Sequence, residues 1–128
     1  MGKMVGDGVL DAALNYIKNN CDQLSVCADT PTSYALATTA GNVRLAIQTG
    51  LTTTNFTGPV DGDSNGRKLT INQQSTFDVT NSGNATHVAL TKSSGSELLY
   101  VTTCTTQALL SGNTVTVPAW SITISDPT

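Results

Sequence analysis

The spacing of apolar residues near the N-terminus predicts one amphipathic helix. In the segment DGVLDAALNYIKNN, residues 7–20, four side chains recur at positions i, i+3, i+4 and i+7, namely Leu10, Ala13, Leu14 and Ile17. This spacing places them on one face of an α-helix. A short helix is marginal alone, so this face should pack on its own domain or on a neighbouring subunit. We therefore take Leu10, Leu14 and Ile17 as interface candidates.

From residue 21 onward apolar and polar residues alternate, which is typical of half-buried β-strands. The alternating groups are Leu24, Val26 and Ala28; Val43, Leu45 and Ile47; Leu69 and Ile71; Phe77 and Val79; Val88 and Leu90. Residues 52–57 predict an edge strand that ends at Gly58-Pro59. Residues 97–105, ELLYVTTCT, are apolar on both faces at their start and predict a central strand. Residues 105–125 predict a final hairpin with its tip at residues 111–113.

These patterns predict a mainly β protein, an antiparallel β-sandwich or barrel with one N-terminal α-helix. About eight short strands separated by Gly, Asn and Ser turns support this class. The strand order stays open, because Greek-key and jelly-roll connections leave the same local pattern. We expect residues 1–20 to form an N-terminal arm and the helix, and residues 21–128 to form the sandwich, within a single domain.

The composition favours contacts with other proteins over contacts with nucleic acid or membrane. Charged residues make up 12% of the chain, against about 25% in a typical soluble protein. The net charge is −3 and the six basic residues are scattered, so we expect no nucleic-acid partner. No apolar run is long enough for a membrane span or a leader peptide, so we expect synthesis in the cytoplasm and no membrane partner. A polar but uncharged surface gives little repulsion between identical copies.

The stretch DGDSNG, residues 61–66, resembles the first half of a calcium-binding loop. Asp61, Asp63 and Asn65 occupy its first three ligand positions, and Gly66 its turn position. The twelfth position, however, is Asn72, which cannot supply a bidentate carboxylate. The same residue types are also those of a tight turn. We therefore predict a hairpin turn, with calcium as the alternative, and expect no cofactor.

Cysteine and histidine residues give no recognisable catalytic or zinc pattern. Cys21, Cys27 and Cys104 lack zinc-knuckle spacing, and the reduced state is expected without an export signal. Only a short polar connection separates Cys21 from Cys27, so a disulfide between them is expected if the protein is exposed to air. His87 has no nucleophile or acid near it in a known local signature. The sequence therefore predicts no catalytic residue and no enzyme.

Trp120 is the only tryptophan and follows Pro118, which restricts that point to a strand edge or bulge. A single tryptophan can stack on a sugar, but a sugar-binding groove normally needs several aromatic and polar partners. Aromatic residues are only 5% of this chain. We expect Trp120 in the core or in a subunit contact, where aromatic side chains contribute most.

Several stretches of the chain resemble a group of small structural proteins of tailed bacteriophages. They are residues 9–37, residues 61–71 (DGDSNGRKLTI), residues 81–91 (NSGNATHVALT), residues 97–105 and residues 112–128. The resemblance implies a capsid decoration (cement) protein on the outer head surface of the virion. Its implied partners are the major capsid protein and further copies of itself, as a trimer or another small ring. The alternatives are a neck, tail or tail-fibre component, and a carbohydrate-binding adhesin-like module.

Overall fold

The computed structural model describes residues 4–41 and 43–127. Residues 1–3 of the expected N-terminal arm lie outside this description. The elements in chain order are α1 Asp7–Asn20, β1 Gln23–Cys27, α2 Tyr34–Thr38, β2 Arg44–Thr49, a 3-10 turn Thr53–Asn55, β3 Phe56–Asp61, β4 Arg67–Ile71, β5 Gln74–Asp78, β6 Gly83–Lys92, β7 Glu97–Leu109, β8 Thr114–Val117 and β9 Trp120–Ile124. The prediction of a mainly β, antiparallel, sandwich-like fold with an N-terminal helix is confirmed.

The strands form two antiparallel layers around one core. The first layer has the order β2-β1-β6-β7. The second contains the sheet β3-β4-β9 and the pair β5-β8. Strand β4 leads into β5 through residues 72–73, and β8 leads into β9 through residues 118–119. The pair β4-β9 is therefore continued end to end by the pair β5-β8, and we call these four strands the bent ladder. Leu24 and Leu90 of the first layer and Leu69 and Ile71 of the second belong to the same buried cluster.

Strands β1 and β6 are the central strands of the first layer, and their side chains are buried on both faces. Leu24 and Leu90 point into the sandwich core, while Ser25 and Thr91 lie on the other face and are also fully buried. The short helix α2, which the sequence left as an ambiguous connection, packs on this layer. Ser33 caps its start by accepting a hydrogen bond from the Leu36 amide.

The prediction that ELLYVTTCT is a central strand is wrong, because β7 lies at the edge of the first layer. Its apolar residues Leu98 to Val101 are only partly buried. The physical reason is that this layer is covered on both sides. Leu99 and Tyr100 contact the sandwich core, and α2 packs against β7 as well, so even an edge strand has two apolar faces here.

Two further predictions of strand limits are wrong. The segment 52–57 begins with the 3-10 turn, in which Asn55 Oδ1 accepts a hydrogen bond from the Thr52 amide, and β3 then runs through Gly58-Pro59 instead of ending there. The predicted final hairpin has a turn at residues 111–113, but β8 pairs with β5 and β9 with β4. Pairing with the bent ladder therefore replaces pairing with β7.

Helix α1 lies on β3 and β4, where charged side chains hold it in place. Leu10 and Leu14 are buried beneath it. Arg67 of β4 donates two hydrogen bonds to the Asp11 carboxylate, at 2.7 and 3.2 Å. Lys18 Nζ donates to the Gly58 carbonyl at 2.8 Å. Of the two alternatives for this apolar face, the structure adopts packing on its own domain.

Candidate interaction surfaces

An open cleft, which we call the seam, separates β7 from β8 and β9. Its volume is about 460 Å³. Val26, Ala85 and Val88 line it with apolar surface from the sandwich interior. On the opposite side of the sandwich a bridge between Ala46 of β2 and Val79 joins the two layers. The sandwich is therefore partly closed at β2 and open at the seam.

The two walls of the seam are strand edges without a strand partner among residues 4–41 and 43–127. Strand β7 is the last strand of the first layer, and β8 and β9 are the last strands of the bent ladder. Strand β7 has thirteen residues against ten in β6, and its pairing shifts register at two points. Such bulges curve an edge strand and interrupt regular pairing. Between the two shifts the pairing with β6 is regular from Tyr100 to Thr103, so along this stretch the outer edge of β7 keeps regularly spaced backbone donors and acceptors.

Trp120 lies at the seam, where its ring stacks on Tyr100. The ring centroids are 6.0 Å apart with an interplanar angle of 29°. The indole is half-buried and contacts the core cluster, and its Nε1 is enclosed without an acceptor in the described part of the chain. Trp120 thus joins β9 to β7 at one point along the seam, and part of its ring belongs to the core.

Among the described residues, the side chains that line the seam carry no formal charge. Hydroxyl and amide groups from both walls provide its polar surface, and they belong to Thr102, Thr103, Thr105, Thr116, Ser121 and Gln107. Such groups can donate and accept hydrogen bonds without selecting a charged ligand. The seam is suited to an uncharged, extended backbone or to a hydroxyl-rich molecule.

A second candidate surface is the outer face of α1, which we define as Val9, Ala12, Ala13 and Tyr16. All four are exposed, Val9 to 67% and Tyr16 to 47%. They share the i, i+3, i+4, i+7 spacing of the buried face, displaced by one residue. The predicted interface residues Leu10 and Leu14 are covered by their own domain, and Ile17 is partly buried against the core. The exposed apolar side chains of this helix are therefore those of the outer face.

The calcium-like loop is the hairpin turn between β3 and β4. Arg67 donates to Asp61 Oδ1 and Lys68 to Asp63 Oδ1, both at 2.6 Å. Asn65 Oδ1 accepts from the Asp126 amide at 3.0 Å. All three predicted ligand side chains are thus bonded to other groups of the chain. In the described ranges there is no group of three or more His, Cys, Asp or Glu residues that could hold a metal ion.

His87 is placed between two threonine hydroxyls. Its Nε2 lies 3.0 Å from Thr30 Oγ1 and its Nδ1 lies 2.8 Å from Thr86 Oγ1. Neither neighbour is an acid that could orient the ring as a general base. The bonds of His87 therefore tie β6 to the segment that follows β1.

In the described part of the chain, no helix is long and apolar enough to cross a membrane.

The three cysteines are free thiols in different surroundings. Cys21 precedes β1 and Cys27 ends it, so an extended strand separates them by about 20 Å, beyond the roughly 7 Å limit between Cα atoms of a disulfide. The suggested Cys21–Cys27 disulfide is therefore wrong for the folded chain. Burial raises the pKa of Cys21 to about 11 and that of Cys27 to about 12. Cys104 is half-exposed and lines the seam, and partial burial raises its pKa as well.

These environments predict selective thiol chemistry and alkaline destabilisation. At pH 8 a thiol reagent should modify Cys104 in the folded protein and all three cysteines after unfolding.

Burial favours the neutral thiols of Cys21 and Cys27. Their contribution to the free energy of unfolding is therefore complete below about pH 9 and is lost as pH rises towards 11 and 12. The free energy of unfolding should fall by about 1.4 kcal/mol per pH unit for each buried thiol.

Urea unfolding at pH 8 and pH 10.5 measures this fall, and the matched control is the double variant Cys21→Ala/Cys27→Ala. The control should lose less stability over the same interval, because it lacks both buried thiols. Equal losses in the two proteins would contradict the role of the thiols. Fast modification of Cys21 or Cys27 at pH 8 would contradict their burial.

Comparison of the chain with protein-family models, with curated proteins and with solved structures finds no match. The sequence singled out Trp120 at the seam but missed the rest of its lining and missed the outer face of α1. The second apolar spacing that begins at Val9 was visible in the sequence and would have identified the outer face. The seam has no such local signal, because distant strands form it.

Proposed function

We propose that the chain is a non-enzymatic structural protein of a tailed-phage virion, most specifically a capsid decoration protein. In this role many copies bind the outer surface of the head and stabilise the shell. The partners are the major capsid protein and further copies of this chain, arranged as a trimer or another small ring. The resemblance of five sequence stretches to small virion proteins supports this role.

The observation that carries the proposal is the seam, with its unpaired edges and uncharged lining. An extended segment of a shell protein can add to a free strand edge through backbone hydrogen bonds, while its side chains enter the apolar part of the cleft. This mode of binding needs no charge complementarity, and the seam residues that the structure describes are uncharged. The edge thus gives a decoration protein a way to hold an exposed strand or loop of the shell.

Stabilisation of the shell follows from mass action and from the number of contacts. A protein that binds the mature shell and not its broken state shifts the equilibrium towards the intact shell. Each single contact can be weak, because a ring that engages several sites at once gains effective concentration from its first contact. The low charge of the chain limits repulsion between copies bound close together.

The test is binding of the purified protein to empty mature heads, with a charge placed in the seam. Gln107→Lys introduces an ammonium group at an exposed seam position, and we expect it to raise the apparent Kd for heads at least about tenfold. Gln73→Lys is the matched control, since Gln73 is equally classed as exposed but lies in the link between β4 and β5. It should leave binding unchanged.

Equal binding by the two variants would reject the seam as the shell contact. The number of copies per purified particle tests the role itself. A decoration protein should be present in numbers comparable to the shell protein, whereas far fewer copies would indicate the neck, tail or tail-fibre alternative. The absence of the chain from purified particles would reject all of these virion roles.

The carbohydrate-binding alternative is favoured by one observation, the Trp120–Tyr100 stack beside the threonine hydroxyls of the seam. Aromatic rings and hydroxyl groups together suit a sugar, although the enclosed Nε1 of Trp120 limits access to the indole edge. Retention of the wild-type protein on a glycan column, with loss of retention in Gln107→Lys, would favour this alternative over shell binding.

A further inference from the structure

Asn65 is the only asparagine in the sequence that is followed directly by glycine. An asparagine side chain can react with the backbone nitrogen of the next residue, and the bulk of that residue decides how closely the two groups approach. Glycine has no Cβ atom, so the nitrogen of Gly66 is unhindered. Every other asparagine precedes a residue with a side chain. The pair 65–66 is therefore the position where this reaction meets the least steric resistance.

The pair lies in the turn between β3 and β4, outside both strands, and Asn65 is exposed. The Gly62 amide closes the turn by donating a hydrogen bond to the Gly66 carbonyl at 2.9 Å. Backbone in a turn lacks the ladder of hydrogen bonds that holds a strand, so it opens at a lower free energy. Asn65 can therefore change its backbone angles without loss of strand pairing, and water has access to it.

The side-chain carbonyl of Asn65 accepts a hydrogen bond from the Asp126 backbone amide at 3.0 Å. An N–H donor needs the oxygen of the carboxamide and not its nitrogen, so this bond identifies Oδ1. When a nucleophile adds to the side-chain carbon, negative charge develops on Oδ1. A backbone N–H that already lies at this oxygen stabilises that charge. The structure thus supplies a hydrogen-bond donor for the addition step.

Asn113 offers a comparison within the same chain. It is also exposed and lies in the turn before β8, but its next residue is Thr114. The two heavy atoms on the Cβ of threonine crowd the backbone nitrogen that would attack. Two exposed turns of one chain therefore differ in the residue that follows asparagine.

We propose that Asn65 is a deamidation site, at which the side chain forms a succinimide ring with Gly66 and the ring then takes up water. In the first step the Gly66 nitrogen bonds to Cγ of Asn65, the Cγ–Nδ2 bond breaks, and the NH₂ group leaves as ammonia with the proton of the Gly66 amide. In the second step water opens one of the two C–N bonds of the ring. Opening at Cγ gives aspartate, and opening at the main-chain carbonyl carbon gives isoaspartate. Water is the only co-reactant, and nothing is oxidised or reduced.

Both products change the contact between the turn and the end of β9. The new carboxylate makes the formal net charge of −3 one unit more negative, and it lies beside Asp126, whose amide bonds this side chain. Isoaspartate also adds one carbon to the backbone next to Gly66. A Cβ atom at Gly66 would lie 2.8 Å from the Cα of Ser125, so the turn has no space to move towards β9. Deamidation therefore loosens this contact, whether or not the chain binds a shell.

The first test follows the purified full chain at pH 8 over days by peptide mass spectrometry, relative to a sample that was not incubated. Deamidation raises the mass of a peptide by about 1 Da. This gain should appear at Asn65 at least about tenfold faster than at Asn113, because crowding raises the barrier for the latter. Isomerisation of Asp7 or Asp61, which also precede glycine, leaves the mass unchanged. Equal rates at the two asparagines, or no gain at Asn65, would overturn the proposal.

The second test examines the hydrogen bond from Asp126. Asp126→Pro removes the N–H group that bonds Oδ1, whereas the matched control Asp126→Ala keeps it and removes only the carboxylate. Asp126 is exposed and follows β9, so both variants should keep the fold, which urea unfolding verifies. Deamidation of Asn65 should be at least about threefold slower in Asp126→Pro than in Asp126→Ala. An equal or faster rate in Asp126→Pro would refute the assistance by this amide.

Discussion

Replacement of Leu14 by alanine is expected to lower the free energy of unfolding by about 3 kcal/mol. Leu14 has no exposed surface and belongs to the core cluster shared by both layers. The loss combines the transfer free energy of the removed methyl groups with the cavity that they leave. Total stabilities are only about 5–15 kcal/mol, so the melting temperature should fall by roughly 10 °C.

Val9→Ala is the matched control in the same helix. Val9 is 67% exposed, and alanine has the higher helix propensity, so stability should change by less than about 0.5 kcal/mol. Urea unfolding of both variants measures the difference. A loss in Leu14→Ala as small as that in Val9→Ala would mean that α1 is not an integral part of the core. Deletion of the helix would then be tolerated, which the buried position of Leu14 argues against.

Gly66→Ala is expected to cost about 3 kcal/mol or more, because two separate penalties act at this position. Gly66 has a φ of +71°, a conformation that costs other residues about 1 kcal/mol. A Cβ atom at Gly66 would also overlap the carbonyl oxygen of Ile124 and lie 2.8 Å from the Cα of Ser125. Since all of these are backbone atoms, the hairpin or the end of β9 must move.

Gly95→Ala separates the two penalties. Gly95 has a φ of +83°, but a Cβ atom there would meet no atom within 4 Å. This variant should therefore lose only the conformational contribution, about 1 kcal/mol. Denaturant unfolding of both variants measures the difference. Similar losses of stability in Gly66→Ala and Gly95→Ala would show that the β3–β4 hairpin can move away from β9 without a cost in the free energy of unfolding.

The alternation of apolar and polar residues correctly predicted β1 and β6, the two central strands of the first layer. The alternation of Leu24 with Val26 and of Val88 with Leu90 marks β1 and β6, and both pairs are buried. The same reasoning failed for β7, since apolar residues on both faces were taken to mean neighbours on both sides. The cover on its two faces comes from Trp120 and from α2, which are distant in sequence. Burial of the two faces of a strand and pairing along its two edges are separate properties. The pattern of apolar residues indicates the burial but not the pairing.

Helix α1 shows a second limit of local pattern. The spacing identified the buried face through Leu10 and Leu14, but Ala13, which shares that spacing, is exposed. Two apolar faces overlap in this helix, and only the position of β3 and β4 decides which one is covered. The calcium-like loop is similar, because Arg67 and Lys68 neutralise Asp61 and Asp63 only after the hairpin has formed.

The position of β1 between β2 and β6 has a consequence for synthesis on the ribosome. Strand β1 ends at Cys27, yet its second neighbour is complete only at Lys92. Most of the chain must therefore leave the exit tunnel before the first strand has both partners. Until then the apolar residues of the nascent N-terminal third stay accessible to chaperones, and long-range closure of this kind slows folding. A chain with this topology completes its fold late in translation.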